Sequence, residues 1–550
     1  MQAAGMDNVP VQVVQEWFQV PVLKFKTDNP VLRIRVSLND ETPVDLSEVL
    51  IGTSGTTNLR DIKAIRIYYD QRNDASAYRL NTDDELVTLF GGISRAGKKN
   101  KVPGKLLLNR GTHTFWVSFE LAASADLTHM LGASCLGMVL DGRTVRPGTT
   151  ETDDPQLPQT MRMGAAVRLH KQDNIHTSRI PGLATTNSGT LLAVFDARRD
   201  TGRDLQGDID IGLHRSTDGG NSWEPIRIPM DMGEWGGLPE KFNGVSDACI
   251  LVDQNSDAIY IAGLWMYGVL DTEGNWVEGL NEQSDDWNHQ WRNKASQPGF
   301  DVKQTSQFMI VRSTDDGKTW SKPQNLTRMI KPASWWLLAP APGAGITLED
   351  GTLVFPSQGR NEKGKGFSNI TYSTDGGKTW KTSNPATEAV RVSTTECAVV
   401  QLDDGSLMLN MRAGVNRGNM GDDNGRGIAV STDMGQTWQA HSTSFNALPE
   451  PTCMASLYRH EFEKNGRRQS VLLFSNPDSK KFRENLTIKL SLDNGKTWQE
   501  QNQLLLDEGR GRGYSCLTSV GEDYIGILYE SSQADLVFQK ISLSSLLEGK

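Results

Sequence analysis

Five aspartates stand at the same place in a short pattern that recurs between residues 216 and 498. The pattern is Ser-x-Asp-x-Gly-x-Thr/Ser-Trp, and its copies are Ser216–Trp223, Ser313–Trp320, Ser373–Trp380, Ser431–Trp438 and Ser491–Trp498. A carboxylate can act as an acid or a base, but five equal copies cannot be five active sites. In each copy the Asp can accept backbone N–H bonds, the Gly can adopt a positive φ, and the Trp can pack over the turn. We therefore expect these aspartates to shape hairpin turns.

A second group of carboxylates lies in one polar stretch, FDARRDTGRDLQGDID, which continues from the apolar run LLAVF. A loop that follows a strand is a suitable place for a catalytic acid, because it can lie against a bound ligand while the strand holds its base. The candidates in this stretch are Asp200, Asp204, Asp208 and Asp210. Residue type alone does not choose among them.

The sequence lacks the motifs that several other kinds of catalysis and binding require. The chain has no HExxH motif, no cluster of histidines and no Gly-rich phosphate loop. The cysteines are odd in number and scattered, at Cys135, Cys249, Cys397, Cys453 and Cys516. Because no two of them have CxxC spacing, neither a disulfide framework nor a zinc site is indicated, and most should be small buried residues. We expect no metal and no organic cofactor.

Charge and hydropathy exclude further classes. The net charge of -10 argues against broad nucleic-acid binding, so a bound anion would need arginines gathered locally. No run of about 18 apolar residues is present, which argues against a membrane span. The first residues, MQAAGMDNVP, lack the basic and apolar regions of a signal peptide, so none is expected in this sequence.

The repeats indicate the elements that must position a site. Their starting points are 97, 60, 58 and 60 residues apart, which suits four-stranded blades with loops. Dividing the remaining roughly 390 residues by about 60 gives six to seven blades. Short alternating strands between residues 11 and 145 favour an antiparallel β-sandwich, and a polar, Pro-containing stretch follows them. We expect an all-β chain, with an N-terminal β-sandwich over residues 1–155 and a six-bladed β-propeller over 156–550.

The wide first gap between repeats contains an insertion of about 35 to 40 residues that is rich in tryptophan. Its tryptophans are Trp265, Trp276, Trp287 and Trp291. Long propeller loops gather where ligands bind, and aromatic rings suit the faces of sugars. The alternative is a small satellite core that folds the loop down.

The repeats and one further motif resemble those of a known family. The repeats are similar to the Asp boxes of the sialidase superfamily, and Ser178-Arg179-Ile180-Pro181 resembles its Arg-Ile-Pro motif. The resemblance covers roughly residues 160–545 and is closest to bacterial exo-α-sialidases. It implies an enzyme that removes terminal sialic acid from glycans.

Sialic acid has a carboxylate on its anomeric carbon, which guanidinium groups can hold with bidentate, charge-assisted bonds. The resemblance implies that this arginine triad is Arg179, Arg412 in LMLNMRAG and Arg483 in KKFRENLTI.

The same carboxylate repels an anionic nucleophile, whereas a neutral Tyr avoids that repulsion if a carboxylate takes its proton. By resemblance the nucleophile is Tyr514 in RGYSCL, and its base is Glu396 in STTECAVV.

The resemblance assigns three further residues. Asp204 takes the role of the acid that protonates the leaving oxygen, and Arg198 supports the carboxylate site. Asp247, in GVSDACI, resembles the aspartate that contacts the N-acetylamino side of sialic acid, although it could be an ordinary turn or core aspartate.

These assignments imply a retaining hydrolase of sialylated glycoproteins, glycolipids and oligosaccharides, acting in the periplasm or outside the cell. Two alternatives remain open. A trans-sialidase or an intramolecular trans-sialidase would use the same residues, and a propeller lectin would need the arginines but not Tyr514, Glu396 and Asp204. The N-terminal domain would bind carbohydrate or brace the propeller.

Overall fold

The structure is a computed structural model, and it describes residues 11–72, 80–148, 160–205, 207–237, 239–267, 277, 296–302 and 304–548. Within these ranges strands predominate and every helix is about one turn long. The chain divides into two compact units, Met1–Ala166 and Val167–Lys550. Because strands predominate, the described part of the chain is nearly all β, as the sequence predicts. In the described part of the chain no helix has both the length and the apolar character that crossing a membrane requires.

The described residues between 11 and 168 form two antiparallel sheets and three additional short or terminal strands. The strands are β1 Val11–Glu16, β2 Val22–Lys24, β3 Asn29–Leu38, β4 Val44–Gly52, β5 Ile62–Asp70, β6 Val87–Ser94, β7 Lys99–Leu108, β8 Gly111–Leu121, β9 Met130–Gly132, β10 Ser134–Leu140, β11 Arg143–Val145 and β12 Thr160–Arg168. A 3-10 turn lies at Leu59–Asp61. One sheet has the order β1-β3-β8-β5-β6 and the other β11-β10-β4-β7. Leu32, Ile34 and Val36 of β3 fall on one face by the two-residue period of a strand, and all three are buried.

The second unit is a series of antiparallel sheets. Its strands are β13 Thr177–Thr185, β14 Leu191–Arg198, β15 Ile209–Ser216, β16 Arg227–Met230, β17 Asn243–Val252, β18 Ile259–Tyr267, β19 Gln307–Ser313, β20 Gln324–Asn325, β21 Leu337–Pro340, β22 Gly343–Ala344, β23 Ile346–Thr347, β24 Leu353–Arg360, β25 Gly366–Ser373, β26 Lys381–Thr382, β27 Thr394–Gln401, β28 Leu407–Ala413, β29 Gly427–Ser431, β30 Gln439–Ala440, β31 Ser456–Lys464, β32 Arg467–Pro477, β33 Leu486–Ser491, β34 Gln503–Asp507, β35 Ser515–Val520, β36 Tyr524–Tyr529 and β37 Leu536–Ser542. The helices are α1 Thr327–Ile330, α2 Thr387–Val390 and α3 Leu543–Leu547, and 3-10 turns lie at Gln172–Asn174, Glu240–Phe242, Gly414–Asn416 and Glu500–Asn502.

Strands that follow one another in the chain pair with one another. The successive sets are β13 to β16, β17 to β20, β21 with β23 to β26, β27 to β30, β31 to β34 and β35 to β37, while β22 pairs in parallel with β17. The first two sets join through one parallel pairing, Ile209 with Gly244. Each set is therefore built from consecutive hairpins whose strands are close together in sequence. Each set begins shortly after the set before it ends.

The five repeats form turns that begin at the third long strand of a set. In the repeat that follows β25, Ser373 Oγ donates to Asp375 Oδ1 at 2.8 Å, and Thr379 donates its N–H to Oδ1 at 2.9 Å and its hydroxyl to Oδ2 at 2.6 Å. The hydrogen bonds from Thr379 lower the pKa of Asp375 to about 2. The matching Asp of each other repeat accepts the same set of bonds. The structural interpretation of these aspartates is confirmed.

The tryptophan-rich insertion is described only at its start. Trp265 lies inside β18, is fully buried, and donates its indole N–H to Asn243 Oδ1 at 3.1 Å. Its ring also packs edge-on against Trp235, with 4.9 Å between centroids. For Trp265 the sugar-platform interpretation is wrong, because the β-strand pattern of IYIAGLWMY carries this ring into the core. Trp276, Trp287 and Trp291 lie outside the described residues.

Candidate active site

Three β-bulges lie in the first strands of three sets, next to predicted site residues. The pairing register shifts between Arg179 and Gly182 in β13, between Ser246 and Cys249 in β17, and between Thr394 and Cys397 in β27. A bulge turns a side chain away from the regular alternation of the strand. Arg179, Asp247 and Glu396 all stand at these irregular positions.

Tyr514, Glu396 and Arg412 form one buried hydrogen-bonded group. The Tyr514 hydroxyl donates to Glu396 Oε1 at 2.5 Å. Arg412 Nη1 donates to Glu396 Oε2 at 2.6 Å and to the Tyr514 oxygen at 3.0 Å. Burial and then the negative charge of Glu396 raise the pKa of Tyr514 well above its ordinary value. The phenol is therefore protonated in this state, with a carboxylate in place to accept its proton.

Arg179 is held by a carboxylate that the sequence did not predict. Its Nε donates to Glu530 Oε1 at 2.8 Å and its Nη2 to Oε2 at 3.2 Å. The same buried carboxylate accepts the backbone N–H groups of Ile180 and Tyr514, each at 3.0 Å. Burial alone would raise the pKa of Glu530, but the charge and hydrogen bonds of Arg179 outweigh it and the pKa is lowered. An ionised Glu530 thus joins the segment of the first arginine to that of the tyrosine.

Arg483 also lies close to the Tyr514 ring. Its guanidinium carbon is 5.4 Å from the ring centroid, and that of Arg179 is 5.3 Å from it. Its Nη1 donates to the carbonyl of Arg512 at 2.8 Å. The structure therefore brings all three predicted arginines around the tyrosine, where they can hold an anion together.

Asp204 pairs with Arg198 and lies within the electrostatic reach of Arg179 and Arg412. Arg198 Nη2 donates to Asp204 Oδ1 at 2.5 Å, while its Nη1 donates to the carbonyl of Gly202 at 3.1 Å. The Asp204 side chain is 63% exposed. Partial enclosure would raise the pKa of Asp204, but the charges of Arg198 and Arg179 outweigh this effect and lower it. Asp204 is an open carboxylate at the edge of the arginine cluster.

Two of the other candidates for the acid, Asp208 and Asp210, contact a different arginine, Arg199. Arg199 Nε donates to Asp210 Oδ2 at 2.8 Å, and its backbone N–H donates to the carbonyl of Asp208 at 3.1 Å. Asp210 lies in β15 and Arg199 directly follows β14, the strand that pairs with β15, so their ion pair stabilises the base of the loop. Asp204 is the carboxylate of this stretch that pairs with Arg198.

Asp247 is buried beside a second unpredicted carboxylate, Asp196. The backbone N–H of Asp247 donates to Asp196 Oδ1 at 3.0 Å, and Asp196 Oδ2 accepts Arg198 Nη2 at 3.0 Å. Burial and then the charge of Asp196 raise the pKa of Asp247 well above its ordinary range. Burial also raises the pKa of Asp196, to about 7, although Arg198 opposes the shift. Asp247 can therefore offer a polar group to a ligand from an almost dry position.

No group of three or more His, Cys, Asp or Glu side chains suited to a metal ion occurs among the described residues. The site residues instead form a cluster of arginines around a phenol–carboxylate pair, with an exposed carboxylate nearby.

Comparison with known proteins decides the family. Residues 180–514 match the family described as BNR repeat-like domain, and residues 10–144 match the N-terminal domain of BNR-repeat neuraminidase. A sialidase of Bacteroides fragilis is 38% identical over 548 residues, covering 96% of this chain and 94% of that protein. The chain belongs to the sialidase family. It is a glycoside hydrolase, a neuraminidase, with BNR (Asp-box) repeats.

Solved structures agree with this assignment. The Hadza microbial sialidase Hz136 has a TM-score of 0.84 and 35% identity, covering 97% of this sialidase and 99% of that chain. A Ruminococcus gnavus intramolecular trans-sialidase has a TM-score of 0.52 and 18% identity, covering 69% of this chain and 98% of that one. The second likeness concerns the fold alone.

Sequence reasoning placed the predicted residues of this sialidase in one cluster but missed Glu530 and Asp196. Asp196 lies opposite Arg179 in the β13–β14 pairing and two residues before Arg198, so strand periodicity could have suggested it. Glu530 is 351 residues from Arg179, and no local pattern marks it.

Proposed function

We propose that this sialidase hydrolyses terminal α-ketosidically linked sialic acid from glycans with retention, through a covalent sialyl-Tyr514 intermediate. The observation that carries the proposal is the 2.5 Å hydrogen bond from Tyr514 to Glu396 inside the arginine cluster. A tyrosine joined to a base and surrounded by cations suits attack on a carbon that carries a carboxylate.

The arginines bind the substrate carboxylate. Arg179, Arg412 and Arg483 hold fixed positions through Glu530, Glu396 and backbone carbonyls, so little side-chain freedom is lost when an anion arrives. Their bidentate, charge-assisted bonds orient the sugar over Tyr514.

In the first half-reaction the Tyr514 oxygen bonds to the anomeric carbon while the bond to the glycan oxygen breaks. The phenolic proton passes to Glu396, and a proton from Asp204 passes to the departing oxygen. The neutral phenol meets less repulsion from the substrate carboxylate than an anionic nucleophile would.

Asp204 must be protonated to act as the acid. In the empty site the charges of Arg198 and Arg179 lower its pKa. A bound substrate carboxylate offsets the charge of Arg179, so the pKa of Asp204 rises when the substrate is present. Substrate binding therefore prepares the acid.

In the second half-reaction water bonds to the anomeric carbon and gives a proton to Asp204. The bond from that carbon to Tyr514 breaks, and Glu396 returns its proton to the phenol oxygen. Two displacements at one carbon give net retention. Asp247 holds the N-acetylamino side of the sugar.

The proposal extends to the architecture. The six successive sets of strands are the six blades of a β-propeller, preceded by a β-sandwich whose role is carbohydrate binding or bracing. Sialylated glycoproteins, glycolipids and oligosaccharides are the substrates, and the enzyme acts in the periplasm or outside the cell.

The test compares the wild type with Tyr514→Phe on 4-methylumbelliferyl α-sialoside, with NMR of the first sugar released. The substitution keeps the ring that Arg179 and Arg483 contact and removes only the hydroxyl. We expect rapid release of α-sialic acid by the wild type and a loss of at least about 100-fold in kcat for the variant.

Tyr529→Phe is the matched control. Its hydroxyl is also buried and donates to Gln539 Oε1 at 3.0 Å, so removing it costs a similar hydrogen bond away from the site. Equal activity of Tyr514→Phe and Tyr529→Phe would contradict the nucleophile. Release of an anhydro sugar, or transfer of sialic acid to added lactose, would show that the enzyme catalyses transfer rather than hydrolysis.

A further inference from the structure

Leu205, the residue after Asp204, has a backbone conformation that leucine rarely adopts. Its φ is 64°, in the left-handed region. Outside glycine this conformation has an energetic cost and persists only where the surroundings impose it. Something other than the local chain therefore holds Leu205.

The side chain of Leu205 supplies that hold. It is only 3% exposed and belongs to an apolar cluster. The other members are Leu264, Met266, Leu337 and Ala339, from β18 and β21. Burying a leucine stabilises by roughly 1.5 to 3 kcal/mol, which is enough to offset a left-handed backbone that costs roughly 1 to 3 kcal/mol.

The backbone at this leucine and at Gly207 also packs closely against β17. A Cβ placed on Gly244 would lie 3.3 Å from the carbonyl oxygen of Leu205 and 3.1 Å from that of Gly207. Gly244 also pairs with Ile209 and with Met266, so it is fixed in the sheet. A side chain at residue 244 would therefore press on the loop at residues 205 and 207.

Asp204 itself has few restraints. Arg198 holds one of its oxygens, and most of its side chain is exposed. The left-handed turn at the next residue is what sends one side chain into the core and leaves the other at the arginine cluster.

We propose that Leu205 is the positioning residue of the acid: its buried side chain, seated beside Gly244, aims Asp204 at the leaving oxygen. This inference rests on the proposed function.

The inference predicts a dependence on the leaving group. A sugar hydroxyl departs poorly as an anion and needs the proton of Asp204, whereas 4-nitrophenolate is a stable anion and does not. Displacing the acid therefore harms cleavage of 3′-sialyllactose more than cleavage of 4-nitrophenyl α-sialoside. A general loss of stability would harm both substrates alike.

The experiment measures the ratio of kcat/KM for these two substrates. We expect Leu205→Ala to lower the ratio of lactoside to nitrophenyl cleavage by about tenfold or more, because a small misplacement of a catalytic group has large effects. Gly244→Ala pushes the loop from the opposite side and should lower the same ratio. Asp204→Asn removes the acid itself, so it shows the largest decrease in the ratio that loss of the acid can cause. Leu205→Met keeps the side-chain volume, and its ratio should stay within about twofold of the wild-type ratio.

Leu353→Ala is the matched control, because it removes a fully buried leucine from β24 near a turn repeat. Its ratio should equal that of the wild type. The proposal is overturned if Leu205→Ala and Gly244→Ala both keep the wild-type ratio. If Leu205→Ala does not fold, a wild-type ratio in Gly244→Ala is enough to overturn it. A wild type that cleaves neither substrate would instead refute the proposed function.

Discussion

Single buried carboxylates determine how this site is built. Asp196 accepts from Arg198 and from the backbone of Asp247, and Glu530 accepts from Arg179 and from the backbone of Tyr514. Each of the two therefore fixes one side chain and one backbone segment at once. Their pKa values move in opposite directions, because Glu530 has two well-aligned bonds from Arg179, whereas Asp196 shares Arg198 with Asp204.

The raised pKa of Asp196 predicts a pH-dependent stability. An unfolded aspartate loses its proton near pH 4, whereas folded Asp196 keeps it until about pH 7. This residue therefore stabilises the fold fully at low pH, and that contribution is lost as the pH rises from about 4 to 7. Asp196→Asn cannot ionise, so between pH 5 and 7.5 the free energy of unfolding should fall in the wild type relative to the variant, on the order of 2 kcal/mol.

Urea unfolding of both proteins at several pH values measures this difference. Asp375→Asn is the control of opposite sign, because the pKa of Asp375 is lowered to about 2 and its contribution is lost only as the pH falls below about 4. A difference between wild type and Asp196→Asn that is constant from pH 5 to 7.5 would contradict the prediction.

Among the elements, the repeated turns are independent of the catalytic cluster. Each turn satisfies its Asp within the turn itself, as Ser373 and Thr379 do for Asp375. We therefore expect Asp375→Asn to lower the melting temperature by a few degrees and to leave kcat/KM unchanged within about twofold. Asp350→Asn, in an ordinary turn where the side chain accepts one backbone N–H at 2.9 Å, should have a smaller effect. Thermal unfolding with parallel assays measures both, and a large loss of kcat/KM in Asp375→Asn would show that the turn reaches the site.

The difference between turns and bulges also explains what the sequence could predict. A turn is made by residues within one short pattern, so the repeats and the all-β fold class were predictable from local residue types. The bulges at Arg179, Asp247 and Glu396 depend on pairing between strands, and the left-handed Leu205 depends on a cluster from β18 and β21. Such long-range causes leave no local pattern, although the motif context of each predicted site residue placed it correctly in the cluster.

The whole second unit depends on contacts between distant parts of the chain. Glu530 binds Arg179 across 351 residues, Asp535 accepts from the backbone of Ser178 across 357, and the hydroxyls of Thr185 and Thr518 are 3.0 Å apart across 333. Loop closure on this scale is costly in entropy, so these contacts form together with the fold as a whole.

A ligand that bridges these segments should therefore protect all of them at once. Sialic acid at about 100 times its Kd stabilises a protein that binds it only when folded by about 2.7 kcal/mol. In hydrogen exchange we expect slower exchange together around residues 177–182, 394–400, 407–413 and 514–530, because one hydrogen-bonded group joins them: Arg179, Glu530, Tyr514, Glu396 and Arg412. Arg412→Ala, which removes one ligand-binding cation, is the control and should weaken protection in every segment. Protection limited to one segment, or unchanged in Arg412→Ala, would mean that the sugar does not bind across the cluster.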